Sequence, residues 1–355
     1  MKVCILGNGL TSYALAKMLV NMDICVDIFL ESKSLNYSKS RTIGISNSNL
    51  NFFNKYIVNI EKILWKLKEI EIFSENLNTK LISFKNRNNE IFSIIENDKL
   101  YKLLEKKLKN NKLCKFFILK NNDCSIVKKY DLVINCNINH LLSKKFFHNK
   151  LEKKYRGFAY TAIVSHDEID NKIATQIFTK RGPLAFLPIS NSKTSIVYSV
   201  NTNEEIDFNN EIKKFNTKYN ISKIYDEKKF HLKSSNLRKY YYKNILAFGD
   251  MLHTIHPLAG QGFNMTLRNF ASLSKIINNN RELGITFNNA MLLDFENQNK
   301  HLNFIFSQGI DLIKNFFELE SNDKSKILSK SIKLFGNNLA LNKTLNKFAD
   351  NGLLI

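Results

Sequence analysis

"KVCILGNGLTSYALAKMLVNMDICVDIFLES" (residues 2–32) decides how the fold begins. Its apolar run Val3–Leu6 has the length and the glycine flank of a buried parallel strand. Gly7 and Gly9 follow, then Leu10, Tyr13, Ala14, Lys17 and Met18 at helical spacing, then a second apolar run, Val26–Leu30. The pattern is a βαβ unit. In a dinucleotide fold such a glycine pair lets the backbone approach a pyrophosphate at the helix N-terminus, which Leu10 and Thr11 open here. Glu31 closes the second strand at the place of a ribose-binding acid, about 20 residues beyond the glycines. An acid there favours an unphosphorylated adenosine ribose, so FAD or NAD fits and NADP does not. Ser12 stands where the third glycine of the fingerprint would be, which predicts slightly looser packing of helix on strand.

A second stretch, "GDMLHTIHPLAGQGFNM" (residues 249–265), concentrates backbone-special residues in a chain with only 12 Gly and 3 Pro. The apolar strand Ile245–Phe248 precedes it, Asp250 stands at the strand end, and a helix is expected from about Gly262, with Met265, Leu267, Ala271, Leu273, Ile276 and Ile277 as its apolar positions. Pro257 sets the loop, and Gly260 and Gly262 allow dihedrals and close approach that a Cβ forbids. The carboxylate can accept hydrogen bonds from ribitol hydroxyls, and a helix N-terminus can stabilise the negative charge of a reduced flavin. His253 and His256, three apart, lack a Cys, Asp or Glu to complete a ligand set, so no metal is expected. His166 and His231 are isolated and read as surface or satisfied core residues.

The formal charge of +21 comes mostly from Lys interspersed with Asn from end to end. No basic stripe interleaved with aromatics is present, so a solvated surface is expected, with weak attraction to anionic membranes as a secondary expectation and no nucleic-acid partner. The five Cys form no C-x-x-C pair and read as buried thiols in a reducing compartment. The opening apolar run is too short for a signal peptide and no stretch spans a bilayer, which predicts a cytoplasmic protein, peripheral to the inner membrane if it meets one. Trp65, with Ile63, Leu64, Leu67 and Ile70, belongs to an amphipathic stretch and is expected in core packing. The C-terminal pattern Leu302, Ile305, Phe306, Ile310, Ile313, Phe316 and Phe317 has helical spacing and three readings: core, homodimer contact or membrane surface.

The second stretch resembles the G-D-A-x-H-x-x-x-P-x-x-G-Q-G-x-N motif of class A flavin monooxygenases, and "HTIHPLAGQGFN" is similar to the form found in the ubiquinone-biosynthesis hydroxylases. "SRTIGISNSNLNFF" resembles the family's arginine segment, "ENDKLYKLLEKKL" the helix returning to the FAD domain, and "QIFTKRGPLAFLPI" the G-P-x-A-x-L-P segment of the substrate domain. "FENQNKHLNFIFSQGIDLIKNFF" follows the family's terminal helices. The resemblance implies an α/β fold: a Rossmann-like, para-hydroxybenzoate-hydroxylase-like FAD domain, an interleaved β-sheet substrate domain and C-terminal helices. With the strand-like segments "KTSIVYSV" and "AYTAIVSH", it divides the chain into residues 1–65, 96–142 and 236–300 for FAD, 66–95 and 143–235 for substrate, and 301–355 as a helical region.

The function implied is FAD-dependent hydroxylation of the aromatic ring of a polyprenylated phenol in ubiquinone biosynthesis, with O2 as co-substrate and NAD(P)H as reductant. The implied FAD contacts are Gly7, Gly9, Leu10, Thr11, Glu31, Arg41, Gly249, Asp250, Pro257, Gly260, Gln261, Gly262 and Asn264; those to substrate are Gly182, Pro183, Ala185, Leu187 and Pro188. No side chain is assigned as catalytic, because the flavin carries the oxygen chemistry. Two rival readings are a flavin reductase of the same fold and a non-catalytic FAD-binding scaffold of a quinone-synthesis complex. They draw on a departure after "YDLVINC": Asn137 and Ile138 stand where the family places Asp-Gly, so the charge is lost and Ile138 is ill suited to a glycine-only backbone.

Overall fold

The computed structural model describes residues 1–31, 41–75, 80–85, 90–119 and 124–323. The C-terminal region expected over 301–355 is therefore described only as far as Asp323, and the side chain of Phe317 lies outside the described residues. Among the described residues the strands form three sheets, of six, eight and three strands.

The six-stranded sheet is built around Lys2–Leu6, whose Val3, Cys4, Ile5 and Leu6 are buried. Burying such side chains contributes about 2 kcal/mol each, which is why an unbroken apolar run rather than an alternating one marks this strand. It pairs in parallel with Cys25–Leu30 on one side and Leu132–Asn135 on the other. Cys114–Ile118 extends the first side and Ile245–Ala247 the second, both in parallel, and Tyr241–Tyr242 closes one edge antiparallel. The parallel strands thus lie in the spatial order third, second, first, fourth, fifth, the arrangement of a doubly wound dinucleotide fold. The helix Leu10–Asn21 makes the first crossover and buries Tyr13, Ala14, Leu15, Met18 and Leu19.

The eight-stranded sheet holds two long strands, Lys150–His166 and Ile221–Leu237, paired antiparallel through several register shifts. Lys193–Val200, Gly182–Ser190 and Ile173–Thr179 follow in order, and Glu69–Ser74 and Lys80–Lys85 complete it at the far edge. The small sheet joins Thr42–Ser46, Phe92–Glu96 and Trp65–Leu67. Trp65 is half-buried in a strand, and its indole Nε1 donates to the Asn171 carbonyl at 2.6 Å. Sheet membership thus divides residues 66–95 between two sheets. His253–Thr254 pairs with Ser235 and Asn236, which carries part of the 236–300 segment into the eight-stranded sheet.

The helix Asn289–Asp323 resolves the C-terminal apolar pattern by face. Phe306 and Ile310 are buried in a cluster with Ile255, Leu258 and Met265, whereas Ile305, Ile313 and Phe316 are exposed. Among the described residues no helix is long and apolar enough to cross a membrane. Cys4 and Cys114 are buried as expected, but Cys25 is exposed at the start of its strand. His166 is satisfied by Thr194 Oγ1 at 3.0 Å and the Asp167 carbonyl at 2.8 Å, and His231 is exposed against the Phe158 ring.

Candidate cofactor and substrate site

In a doubly wound sheet the connections leave the first and fourth strands to opposite faces, and a crevice opens at their carboxyl ends. Here that point lies between Leu6 and Asn135. Gly7 adopts φ 129°, and a Cβ on it would lie 3.0 Å from Ser12 Oγ and 3.5 Å from Asn137 N. A Cβ on Gly9 would meet nothing within 4 Å. Gly9 is also the N-cap of Leu10–Asn21, whose N-terminus has no side-chain cap and no acid in its first turn. The site therefore combines open space with helix N–H groups aimed at it, which suits a phosphate. Ser12 is fully buried and fills the contact that a third glycine would have left.

The second motif arrives at the same place. After Ile245–Ala247 the chain turns at Gly249, φ 67°, where a Cβ would lie 2.7 Å from Thr11 Cγ2. Two segments remote in sequence thus meet backbone to side chain. Asp250 follows, exposed, and its charge acts on the Cys136 thiol at the end of the fourth strand. Glu31 reaches that strand end from the other side, where its carboxylate Oε1 accepts from Asn137 Nδ2. Both acids thus lie near the end of the fourth strand.

Pro257 leads the turn Leu258–Gly260 and Gly260 takes φ 62°, the left-handed region that favours glycine. The helix Gln261–Glu282 starts there, a residue earlier than expected, again with no side-chain cap and no acid in its first turn. A Cβ on Gly260 would reach only ordinary contact with Gly44, at 3.8 Å, and one on Gly262 only Ile255 Cγ1, also at 3.8 Å. Gln261 is buried with its Oε1 unbonded. Asn264 is fully buried: its Nδ2 donates to the Gly44 carbonyl at 3.0 Å, and its Oδ1 accepts from Ser46 N at 3.0 Å and Asn49 Nδ2 at 3.1 Å. That amide braces the helix against Thr42–Ser46 rather than facing the crevice. Arg41 is exposed at the head of that strand, its carbonyl accepting from Asn97 N.

The p-nitrophenol 4-monooxygenase PnpA of Pseudomonas putida DLL-E4 superposes with TM-score 0.79 at 9% identity, covering 99% of this chain and 98% of that one. Klebsiella pneumoniae HpxO, solved with FAD and uric acid, gives 0.72 at 12% identity, covering 100% of this chain and 97% of that one. This is the fold of the FAD-dependent monooxygenases. In sequence, the chain is 29% identical over 147 residues to the 3-demethoxyubiquinol 3-hydroxylase of Escherichia coli K12, covering 39% of this chain and 38% of that protein. It is 25% identical over 195 residues to the mitochondrial ubiquinone biosynthesis monooxygenase of Xenopus tropicalis, covering 42% and 41%. The chain spans about two fifths of the length of these curated relatives. No protein-family model matches it.

Within this monooxygenase fold, Gly182–Ser190 is an inner strand of the eight-stranded sheet. Leu187 packs with Leu67, Ile94 and Ile189, the side toward the small sheet, and Ala185 shares its alternation; both are half-buried. Leu184 and Phe186 pack on the opposite side against Phe208 and Ile212, and Pro188 alternates with them. Gly182 belongs to the sheet interior, since a Cβ there would lie 2.1 Å from the Ser199 carbonyl oxygen. Pro183 shares the side of Ala185 and Leu187 by the same alternation but is buried, so of the five expected substrate residues Ala185 and Leu187 are the two on that side with a partly open surface.

The two histidines of the monooxygenase motif differ. His253 Nε2 is 2.8 Å from Asn269 Oδ1, and Asn269 bonds in turn to Asn299 and Asn303. His256 is fully buried, edge-on to Tyr155, with neither ring nitrogen bonded. Burial, then Lys314 and Lys153, push its pKa down to about 3, so it is neutral in the folded chain at ordinary pH. Sequence reading noted Asn137 only as a departure and missed its bond to Glu31; nothing in residues so far apart in sequence announces the contact. The concern over Ile138 is removed by the structure, because Ile138 is not among the residues at positive φ.

Proposed function

We propose that the chain is an FAD-dependent monooxygenase that hydroxylates the aromatic ring of a phenol, with a polyprenylated quinone precursor as its substrate class. The observation that supports this reading is the approach of Gly249 to Thr11, which brings the turn bearing Asp250 to the uncapped, glycine-led N-terminus of Leu10–Asn21. The open space over Gly9 and the unbonded Gln261 Oε1 fit a large polar ligand there. The six-stranded unit is assigned as the FAD domain and the eight-stranded sheet as the substrate domain.

The residues divide the work. The N–H groups after Gly9 would hold the pyrophosphate, and Glu31 the adenosine ribose. Arg41 and Asp250 would bind the pyrophosphate–ribitol stretch, and Pro257, Gly260, Gln261 and Gly262 would border the ring system, held in place by Asn264. When bound, FAD supplies the reaction with O2 and the delivery of one oxygen atom to the substrate ring. The N-terminus of Gln261–Glu282 stabilises negative charge beside it. Ala185 and Leu187 offer an apolar wall against which an aromatic ring packs and water is excluded. A nicotinamide is the proposed reductant.

Flavin absorbance of the purified chain tests the cofactor. Mass spectrometry of 18O transferred from labelled O2 to a panel of prenylated phenols, in the presence of NADH or NADPH, tests the reaction. The expected result is a coloured protein and a product heavier by one labelled oxygen. Bound FAD with no nicotinamide oxidation under any phenol would favour the scaffold reading instead, and nicotinamide oxidation without label in the product would favour a reductase.

A further inference from the structure

Glu31 and Asn137 stand at the ends of the second and fourth parallel strands, on either side of the Gly7 turn. Asn137 is fixed at both ends of its own loop. Its N–H donates to Asn135 Oδ1 at 3.0 Å, and its side-chain Oδ1 accepts from Asn139 N at 2.8 Å. Ser143 Oγ donates to the Asn137 carbonyl and accepts from Asn135 Nδ2 at 2.8 Å, which ties the loop to the buried strand. With Oδ1 committed to Asn139 N, the orientation of the amide is decided and Nδ2 has to face the other way. There it meets the Glu31 carboxylate.

We propose that Asn137 is the positioning residue for Glu31, holding one carboxylate oxygen so that the group stands ready for the diol of the adenosine ribose. The proposal rests on the FAD reading of the site. A carboxylate accepts about four hydrogen bonds, so one bond from Asn137 leaves capacity for two ribose hydroxyls. The neutral amide of Asn137 does this without adding a second negative charge beside Glu31, unlike the aspartate that the resembled family places there. An aspartate in its place would set two carboxylates side by side, and like charge would turn Glu31 away or force one of the pair to take a proton. Ile138 beside it follows from the same design: Asn137 makes the turn with its own side chain, so no glycine conformation is called for.

The test is the FAD affinity of full-length apo-protein, measured by quenching of flavin fluorescence. Asn137→Ala is expected to weaken binding about fivefold, and Asn137→Asp about tenfold or more, since it replaces a charge-assisted bond by repulsion. Asn137→Ser keeps a side-chain oxygen for the turn but cannot reach Glu31, so it is expected to match the alanine variant and not the wild type. In a Glu31→Ala background, Asn137→Ala is expected to cost less than about twofold, the signature of a residue acting through another. Pairing Asn137→Asp with Glu31→Gln removes the like charge and should recover much of the loss. Equal cost of Asn137→Ala in both backgrounds, or a serine variant that binds as wild type does, overturns the positioning role. A wild-type chain that binds no FAD overturns the cofactor reading and this proposal together, whereas normal FAD binding by all the Asn137 variants overturns the proposal alone.

Discussion

Gly249→Ala strikes the contact that joins the two motifs. At φ 67° an L-residue sits in the left-handed region, which costs about 1–2 kcal/mol. Its Cβ would also lie 2.7 Å from Thr11 Cγ2, well inside the separation of about 3.5–4.0 Å at which carbon atoms rest. Relieving that overlap means moving the N-terminus of Leu10–Asn21 away from the strand end, and overpacking of this kind adds about 1–3 kcal/mol. The expected total is about 2–5 kcal/mol, a large share of a usual stability of about 5–15 kcal/mol. Thr11→Ser deletes the offending methyl and keeps the hydroxyl. Combined with Gly249→Ala it should restore about 1–2 kcal/mol and leave the backbone cost in place. Urea unfolding followed by circular dichroism measures both differences. A loss under about 0.5 kcal/mol for Gly249→Ala, the level of an ordinary surface change, refutes the reasoning. So does a double variant no more stable than Gly249→Ala alone, because the methyl would then not be the obstacle.

Gly9→Ser tests the open space at the first helix. The residue has φ −80°, no neighbour within 4 Å of a Cβ, and an N-cap position that serine favours, so stability should hold within about 0.5 kcal/mol while FAD affinity falls about tenfold or more. A silent effect on affinity would remove the pyrophosphate from that place. Asn264→Ala should cost about 2–3 kcal/mol in the same unfolding assay, since it strands the buried Ser46 N–H and Gly44 carbonyl. His256 has its pKa lowered from 6.5 to about 3, so the unfolded chain takes up the proton first. Its contribution is complete above about pH 6.5 and is lost as pH falls toward about 3, at about 1.4 kcal/mol per unit. Wild type should therefore lose about 2 kcal/mol more than His256→Gln between pH 7 and pH 5; parallel pH profiles would show that the imidazole is not held neutral.

Much of the site was legible because it is written in local chemistry. An unbroken apolar run, a glycine pair and helical spacing specify a strand, a turn and a helix without help from the rest of the chain, and the helix Asn97–Lys109 falls where "ENDKLYKLLEKKL" was expected to return. The left-handed turn at Gly260 and the helix after it were marked by the crowding of Gly and Pro. Sheet membership was harder. Trp65–Leu67 pairs with Phe92–Ile94 across residues remote in sequence, and a stretch of apolar residues at mixed spacing does not say which sheet will take it. Nor could the C-terminal spacing separate Phe306, which is buried, from Ile305, which is exposed. Period alone marks a stripe, and what packs against it sets the stripe's width.

The amino-acid order by itself determined the dinucleotide-type βαβ unit, the second glycine-rich turn and the residue types offered to a cofactor, because each depends on dihedral preference and side-chain chemistry within a few positions. Tertiary structure alone decided that Thr11 meets Gly249, that Asn137 holds Glu31 and that Asn264 turns inward to brace Gly44. Those contacts join strand ends brought together by the winding of the sheet, and hydrogen-bond partners remote along the chain are chosen by that winding rather than by any signal in their own neighbourhoods.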